Sequence, residues 1–537
     1  MTQITTTGKA HDLVTFSRAS GGTALRRIGY GSELVTNGTF DTDSDWTKSA
    51  GASISGGVGT ITVTAGGFEY VAQDVTYTSG KVYKLTATVN GTSGKSMRLQ
   101  DNASALGGLT VSNGTVTMTG SDQEVEIIWV ANENSNKLAV ERNSADGGDN
   151  YSFTVDNVSV KEVLFDAGSG TLQLFNHPDN IPRIEYNTDG TTKGLLIEEA
   201  RTNLFAYSQP ESAGFGEIRS SLVTSVLAAP DGNPAEKLVE DSTAASSHQL
   251  TTGAVGMSLN TAYTMSWFAK AAERDFIAMN IYSGTTSYWT WFDLSNGTVG
   301  TATNSPTTFI EDYGNGWYRC GITVTTAASG TPNTATYIAP SNGVLNYDGD
   351  GSSGIYVYGA QLEAGSFATS YIPTSGSTAT RSADVCSVAI DQFGYNQSEG
   401  TVVVQFENSS LTSGINNRLY SLNDDSSNNR IDGLVIGGSG LVQTYSVDGG
   451  VVQTSFNTSD AAVSGEVSAF AVGFAQNDFA SVVDGGTIAT DTSATIPSVT
   501  TLDIGNSPAG SIFNGHIRSI KYYPVKLSNV QLQEITS

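Results

Sequence analysis

The chain has 537 residues, 60 of them glycine, and carries 26 lysines and arginines against 52 acidic residues, a net charge of −26. Neutralising a phosphate backbone needs a basic stripe; the longest basic run is Arg26-Arg27, so nucleic acid is excluded as a partner. Membrane insertion is excluded too, because no stretch approaches the ~20 consecutive apolar residues of a spanning helix.

The length exceeds what one hydrophobic core supports, and predicts three or four domains. Lysine, arginine and glutamate are scarce, while threonine, serine, valine and tyrosine are common, which suits half-buried strands joined by tight turns. The opening residues lack the basic start and apolar run of a secretion signal, so synthesis in a bacterial cytoplasm without that export route is expected. Cys320 and Cys386 lie on or beside apolar stretches without metal-ligand spacing. Buried thiols are the expectation, with a single disulfide left open. His11, His177, His248 and His516 are too scattered for a zinc site.

In chain order, residues 82–89 (VYKLTATV) alternate Tyr83, Leu85, Ala87 and Val89 with polar residues, the mark of a strand with one buried face. Residues 262–270 (AYTMSWFAK) repeat the phase with Tyr263, Met265, Trp267 and Ala269. Two further segments match: Phe153, Val155, Val158 and Val160 fall where Ile355, Val357, Ala360 and Leu362 fall. Both break their alternation midway, which predicts a bulge or a strand that changes sheets. Such internal similarity points to a duplicated domain. Later, residues 401–406 (TVVVQF) alternate again, and Asp448-Gly-Gly450 and Asp484-Gly-Gly486 are hairpin turns. Ser528 precedes Gln531 by the spacing of a capping box, which predicts a short terminal helix.

Three segments carry a resemblance: 13–20 (LVTFSRAS), 180–186 (NIPRIEY) with 194–204 (GLLIEEARTNL), and 358–374 (YGAQLEAGSFATSYIPT). In this order they resemble structural proteins of tailed bacteriophages, across most of residues 10–385. Residues 33–46, with NGTFD and a tryptophan, and DNVSV at 156–160 are similar to the first and last strands of jelly-roll carbohydrate-binding modules. The closing residues, 502–536, resemble the end of concanavalin-like (laminin-G-like) lectin domains. The implied fold is all-β and multi-domain: tandem antiparallel β-sandwiches of jelly-roll type with a short N-terminal attachment module. The expected parts are a discontinuous attachment module (1–32 plus 164–200), a jelly-roll inserted into it (33–163), a second jelly-roll (201–384) and a lectin domain (385–537).

Sugar-binding sandwiches stack pyranose rings on exposed aromatic side chains. Tyr282, Tyr288, Trp289 and Trp291 are the candidates. Trp289 and Trp291 share one strand face and Tyr288 the other, so one of the two faces is core. Trp46 is expected as a structural anchor, and Trp129 and Trp317 as core or turn residues. By resemblance, Asp41 and Asp156 occupy the positions that hold a structural calcium ion; otherwise they satisfy turn and strand-end donors. Asp348-Gly-Asp-Gly351 lacks the downstream glutamate of an EF-hand loop and reads as a surface turn. No catalytic constellation is present: no nucleophile elbow, no zinc-protease pair and no phosphate-cradling loop. Glu198-Glu199 is expected to serve Arg201 or neighbouring backbone, and no enzyme is expected.

The resemblance implies a virion surface protein, a head or tail fibre. It would adhere to host surface polysaccharide and bind other virion proteins through the N-terminal module. A homo-oligomer follows from avidity, a trimer being the expectation, although no heptad stalk is visible. The alternatives are a decoration or spacer protein without a specific ligand, and a secreted bacterial lectin.

Overall fold

The computed structural model describes residues 2–5, 14–101, 110–131, 137–146, 148–209, 214–252, 255–411, 414 and 416–537, with backbone alone at 2–5, 101, 110–114, 144 and 226. His11 and Leu13 lie outside the described residues. The fold is all-β, a series of antiparallel sandwiches. Two compact units are distinguished, Arg27–Thr171 and Met1–Arg26 with Leu172–Ser537.

In the unit Arg27–Thr171, Val82–Gly91 pairs with Gln123–Val130 on one side and Tyr151–Phe165 on the other. The facing sheet runs Thr110–Thr117, Ser96–Asp101, Leu138–Arg142, Tyr70–Gln73, Thr47–Lys48. Tyr83, Leu85, Ala87 and Val89 are buried in the core between the sheets, as their alternation requires. Trp129 joins that core, tilted against Tyr83 at 5.7 Å. Trp46 anchors the turn before its strand: it stacks on Phe40 at 4.9 Å and donates from Nε1 to the Asn37 carbonyl.

The larger unit contains a sandwich of the same plan. Ala262–Ala271 pairs with Tyr318–Thr325 and with Gly354–Ala364. Tyr263, Met265, Trp267 and Ala269 are buried with Cys320, and Ile277, Met279, Ile281, Phe292 and Ile338 meet them from the opposite sheet. The duplication extends to details. In Tyr151–Phe165 the pairing slips between Asp156 and Ser159, and in Gly354–Ala364 it slips opposite Ser266 and Phe268. Each copy thus sets two residues, Asn157-Val158 or Gly359-Ala360, against one on the partner strand. The first of each pair has positive φ, 51° at Asn157 and 60° at Gly359. These are β-bulges, and they account for the break in alternation. Five residues separate the backbone N–H of Thr78 from the Tyr83 hydroxyl that accepts it, and the same spacing joins Ser258 to Tyr263.

The last sandwich has its own core around Val404, Phe406, Leu419, Phe470, Ile504 and Ile520, with Cys386. Cys320 and Cys386 are both free and buried, each in a different sandwich. Asp448-Gly-Gly450 turns the hairpin between Leu441–Asp448 and Val451–Ala461. The helix Asn529–Thr536 begins with the capping box of Ser528 and Gln531.

Four strands from residues 1–32 and 164–200, expected as an attachment module of their own, join the sheets of this sandwich. Thr2–Thr5 and Thr192–Ile197 pair with successive stretches of Gly515–Tyr523, Ile184–Tyr186 pairs with Thr192–Ile197, and Thr15–Ser17 pairs with Val385–Ala389. The reason is the row of unpaired amides and carbonyls along a sheet edge, which these segments cover.

The recurrent segments meet in a buried ion cluster. Arg18, Arg183 and Asp384 have fully buried side chains, and Asp384 accepts from Arg18 at 3.2 Å and from Arg183. Arg183 also donates to Glu198 at 2.8 Å and to the Ser370 hydroxyl at 2.7 Å. Arg381 reaches Glu198 at 3.5 Å. Glu198 therefore serves Arg183 and Arg381, while Glu199 pairs with Arg201. Sequence distance hides the Asp384 partnership.

Candidate functional site

In the middle sandwich, the sheet that carries Trp289 runs Gly216–Ile218, His248–Thr251, Asn333–Ala339, Phe276–Tyr282, Ser287–Asp293, Thr298–Thr303. Its inner face feeds the core. Its outer face carries a second apolar cluster of Ala278, Trp291, Ala335, Tyr337 and Ala339, with Phe276, Trp289 and Leu345 packed against it. Strand alternation makes the division: Tyr288 packs on the core side, and Trp289 and Trp291 on the outside. Tyr282 closes the same outer row as Ala278 and Asn280, and is half-buried.

Register explains how the rings meet. Ala278 sits opposite both Trp291 and Tyr337, and Asn280 sits opposite both Trp289 and Ala335. Small side chains on the central strand leave room above it, so rings from the flanking strands lean together. Trp289 lies 4.9 Å from Tyr337 and 5.9 Å from Trp291. Such aromatic pairs contribute about 0.5–1.5 kcal/mol each beyond the area they bury, so the cluster is a stiff platform.

Trp289 and Trp291 are not equivalent. The loop after Asn333–Ala339 folds over Trp291, whose Nε1 donates to the Val344 carbonyl at 3.3 Å, and Asn342 fixes that loop by accepting from the Thr301 N–H at 2.7 Å. Trp291 is left 5% exposed. Trp289 stays half-buried. Burial pushes the Tyr337 phenol up to about 12, so it remains a neutral hydroxyl at physiological pH. On the same face, half-buried Gln249 sits opposite Tyr337 and exposed Asn333 opposite Tyr282. A half-buried indole on a face that also carries amide side chains can stack the apolar face of a sugar ring and hold its hydroxyls. Sequence reasoning missed Tyr337, which comes from a strand far along the chain and has no aromatic neighbour in sequence.

Trp317 is buried in a turn, its Nε1 donating to the Ala228 carbonyl. Asp348 and Asp350 accept from nearby backbone N–H groups, the ordinary work of a surface turn.

Asp41 and Asp156, the expected calcium ligands, each have a local partner. Asp41 accepts from the Thr39 hydroxyl at 2.7 Å and Asp156 from the Asn157 N–H at 2.6 Å. The NGTF turn between them is knit by Asn37, whose amide donates to the carbonyls of Thr42 and Ser44. Among the described residues no group of three or more acidic, histidine or cysteine side chains converges. Calcium takes six to eight oxygens, and two carboxylates already engaged in turns do not fit that requirement.

No family model and no curated protein matches the chain. Among solved structures, the CBM40 module of the Ruminococcus gnavus IT-sialidase bound to α2,3-sialyllactose aligns at 17% identity, covering 26% of this chain and 84% of that one, with a TM-score of 0.24. The CBM22-1–CBM22-2 tandem of Paenibacillus barcinonensis Xyn10C aligns at 12% identity over 62% of this chain and 98% of that one, TM-score 0.20. Domains LG4-5 of the mouse laminin α1 chain align at 12% identity over 52% and 86%, TM-score 0.20.

Proposed function

We propose that this chain is a non-enzymatic adhesin of a tailed-phage virion, which binds host surface polysaccharide through the outer aromatic face of its middle sandwich. The observation that carries the binding reading is Trp289, half-buried between Tyr337 and Trp291 on the outer face of the sheet. Exposed aromatic platforms on rigid elements suit ligands whose ring faces are apolar and whose edges are hydroxylated. The virion assignment draws on the phage-like segments, whose residues Arg18, Arg183, Glu198 and Ser370 converge in one buried cluster. Among the described residues no helix is long and apolar enough to cross a membrane. Residues 1–32 and 164–200 grip other virion proteins in this reading, and a homo-oligomer, a trimer, supplies avidity.

The test is binding of the full chain to intact host cells and to their extracted polysaccharide, with calcium and with chelator. Saturable binding that falls at least about tenfold in Trp289→Ala, a loss of ~1.4 kcal/mol, supports the adhesin. Calcium and chelator should give the same result, since the Asp41–Asp156 pair does not make a cage. No binding at concentrations where avidity reveals millimolar sites would favour a decoration protein without a ligand. The acidic surface is consistent with either role, favouring solubility over self-association.

A further inference from the structure

A second site is written into the larger unit, away from the aromatic face. A cavity of about 240 Å³ opens where the hairpin of Ile184–Tyr186 and Thr192–Ile197 meets the hairpin of Thr307–Asp312 and Tyr318–Thr325. Tyr186, Lys193, Glu311, Asp312 and Tyr313 line it, with the buried carboxylate of Glu185 behind them. One side is closed by the Thr188 hydroxyl, which donates to Asp312 at 3.1 Å across the two hairpins. The volume is below the roughly 300–1,000 Å³ of pockets for drug-sized ligands; it suits one ring.

The charges in this cavity are incompletely paired. Glu185 keeps its proton off: burial pushes its carboxyl up, but the ammonium of Lys193 and a hydrogen bond with His516 outweigh that and bring it to about 2. The charge on Lys193 is favoured chiefly by Glu185, against burial, and then by Glu311. Among the described residues, the side chains of Lys193 and Glu311 make no hydrogen bond and no ion pair within 4 Å. An ammonium offers only donors and a carboxylate only acceptors. Here the two face one cavity and stop short of each other, leaving a gap with a donor at one end and an acceptor at the other. Asp312 adds acceptor capacity, since it takes only the Thr188 hydroxyl and the Gly314 N–H.

A vicinal diol fills such a gap. One hydroxyl accepts from Lys193 and keeps its own O–H to donate to Asp312, while its neighbour donates to Glu311. The tyrosines Tyr186 and Tyr313 supply apolar walls for the ring. Three carboxylates against one ammonium leave the wall negative, which repels acidic sugars. We infer that this cavity is a binding pocket for a single neutral pyranose, distinct from the Trp289 face and independent of it. If both sites hold, the chain reads an extended glycan on the sheet and a chain end in the pocket.

The probes are methyl β-D-glucopyranoside, methyl β-D-galactopyranoside and methyl α-D-mannopyranoside, with D-glucuronate as the acidic counterpart, each titrated into the full chain by ligand-observed NMR. Binding of at least one methyl hexoside is expected. It should weaken at least about tenfold in Glu311→Gln and in Lys193→Met, and stay unchanged in Trp289→Ala. Glu311 is exposed, so its variant should keep the parent melting temperature and report on the site alone. The inference is overturned if no methyl hexoside binds, if binding survives both pocket variants, or if glucuronate binds better than the neutral sugars. Binding lost only in Trp289→Ala would remove the pocket and place the sugar site on the sheet face; binding lost only in the pocket variants is the expected result, and it leaves the Trp289 face to the polysaccharide assay.

Discussion

Asp384 holds together parts of the chain that are hundreds of residues apart, and its environment fixes what its loss would cost. Fully buried, it accepts from Arg18 and Arg183, and also takes the backbone N–H of Glu198 at 2.9 Å. Removing one partner of a buried pair leaves the others charged and unsatisfied, which costs about 3–5 kcal/mol. Asp384→Ala should therefore lower the unfolding free energy read from urea denaturation by that order. The same cluster predicts acid sensitivity. Burial pushes the Glu198 carboxyl up, but Arg381 and Arg183 more than offset this and hold it well below the carboxylate range; Glu185 lies at about 2 against an ordinary 4.5. A depressed carboxyl stabilises the fold above its unfolded value and loses that contribution as pH falls toward the folded one. The contribution of these two carboxylates should be full above about pH 4.5 and fall steadily toward pH 2, a trend that denaturation midpoints on the acid side would check.

Glu141 has the opposite sign. Burial pushes it up to about 7, against the weaker pull of Arg98 and Arg142 and the Gln100 amide. The protonated acid is the comfortable form, so its ionisation destabilises the fold as pH rises from about 4.5 through 7. Glu141→Gln keeps the shape and the bond from Gln100. It should raise stability by about 1–3 kcal/mol at pH 8 and give no gain at pH 4; equal effects at both pH values would sink the argument.

Among elements, the paired bulges carry the clearest prediction. Gly359 has φ +60°, and a Cβ there would meet the Phe268 ring at 2.6 Å and the Tyr371 ring at 3.3 Å. Gly359→Ala should cost about 1–3 kcal/mol, part of it backbone strain and part displaced rings. Asn157, in the same place in the other copy, tolerates the left-handed conformation and secures it with an amide bond to Thr88. This is also where the sequence was most legible. Period-two alternation placed Tyr83 to Val89 and Tyr263 to Ala269, and its interruption marked both bulges, because each follows from local geometry. Ser528 and Gln531 announced the last helix for the same reason. The difference between Trp289 and Trp291 was not legible: the loop that covers Trp291 comes from residues more than fifty positions later, and nothing near the tryptophans announces it. Tyr337 and Asp384 were hidden likewise, since contacts across sheets leave no periodic trace.

For the whole molecule, the terminal segments are structural parts of the last sandwich. Thr2–Thr5 pairs along Gly515–Tyr523, and Arg18 fills the cluster at Asp384. Removing residues 1–20 uncovers a sheet edge and leaves Asp384 without one of its cations. The shortened chain should lose solubility, and its last sandwich should melt at a lower temperature than in the full chain, as calorimetry would report. An attachment segment dispensable for folding would leave that transition unmoved.

The pairing of Thr2–Thr5 with Gly515–Tyr523 also imposes a schedule. Ribosomes add about 5–20 residues per second, so the first strand waits on the order of half a minute to two minutes before its partner emerges. Throughout that interval it is an unpaired strand, while Arg27–Thr171, contiguous in the chain, can already close on itself. The last sandwich is thus sealed only once Gly515–Tyr523 has been made, by a strand translated long before it, and a ribosome that stalls before residue 515 releases a chain in which Thr2–Thr5 has nothing to join.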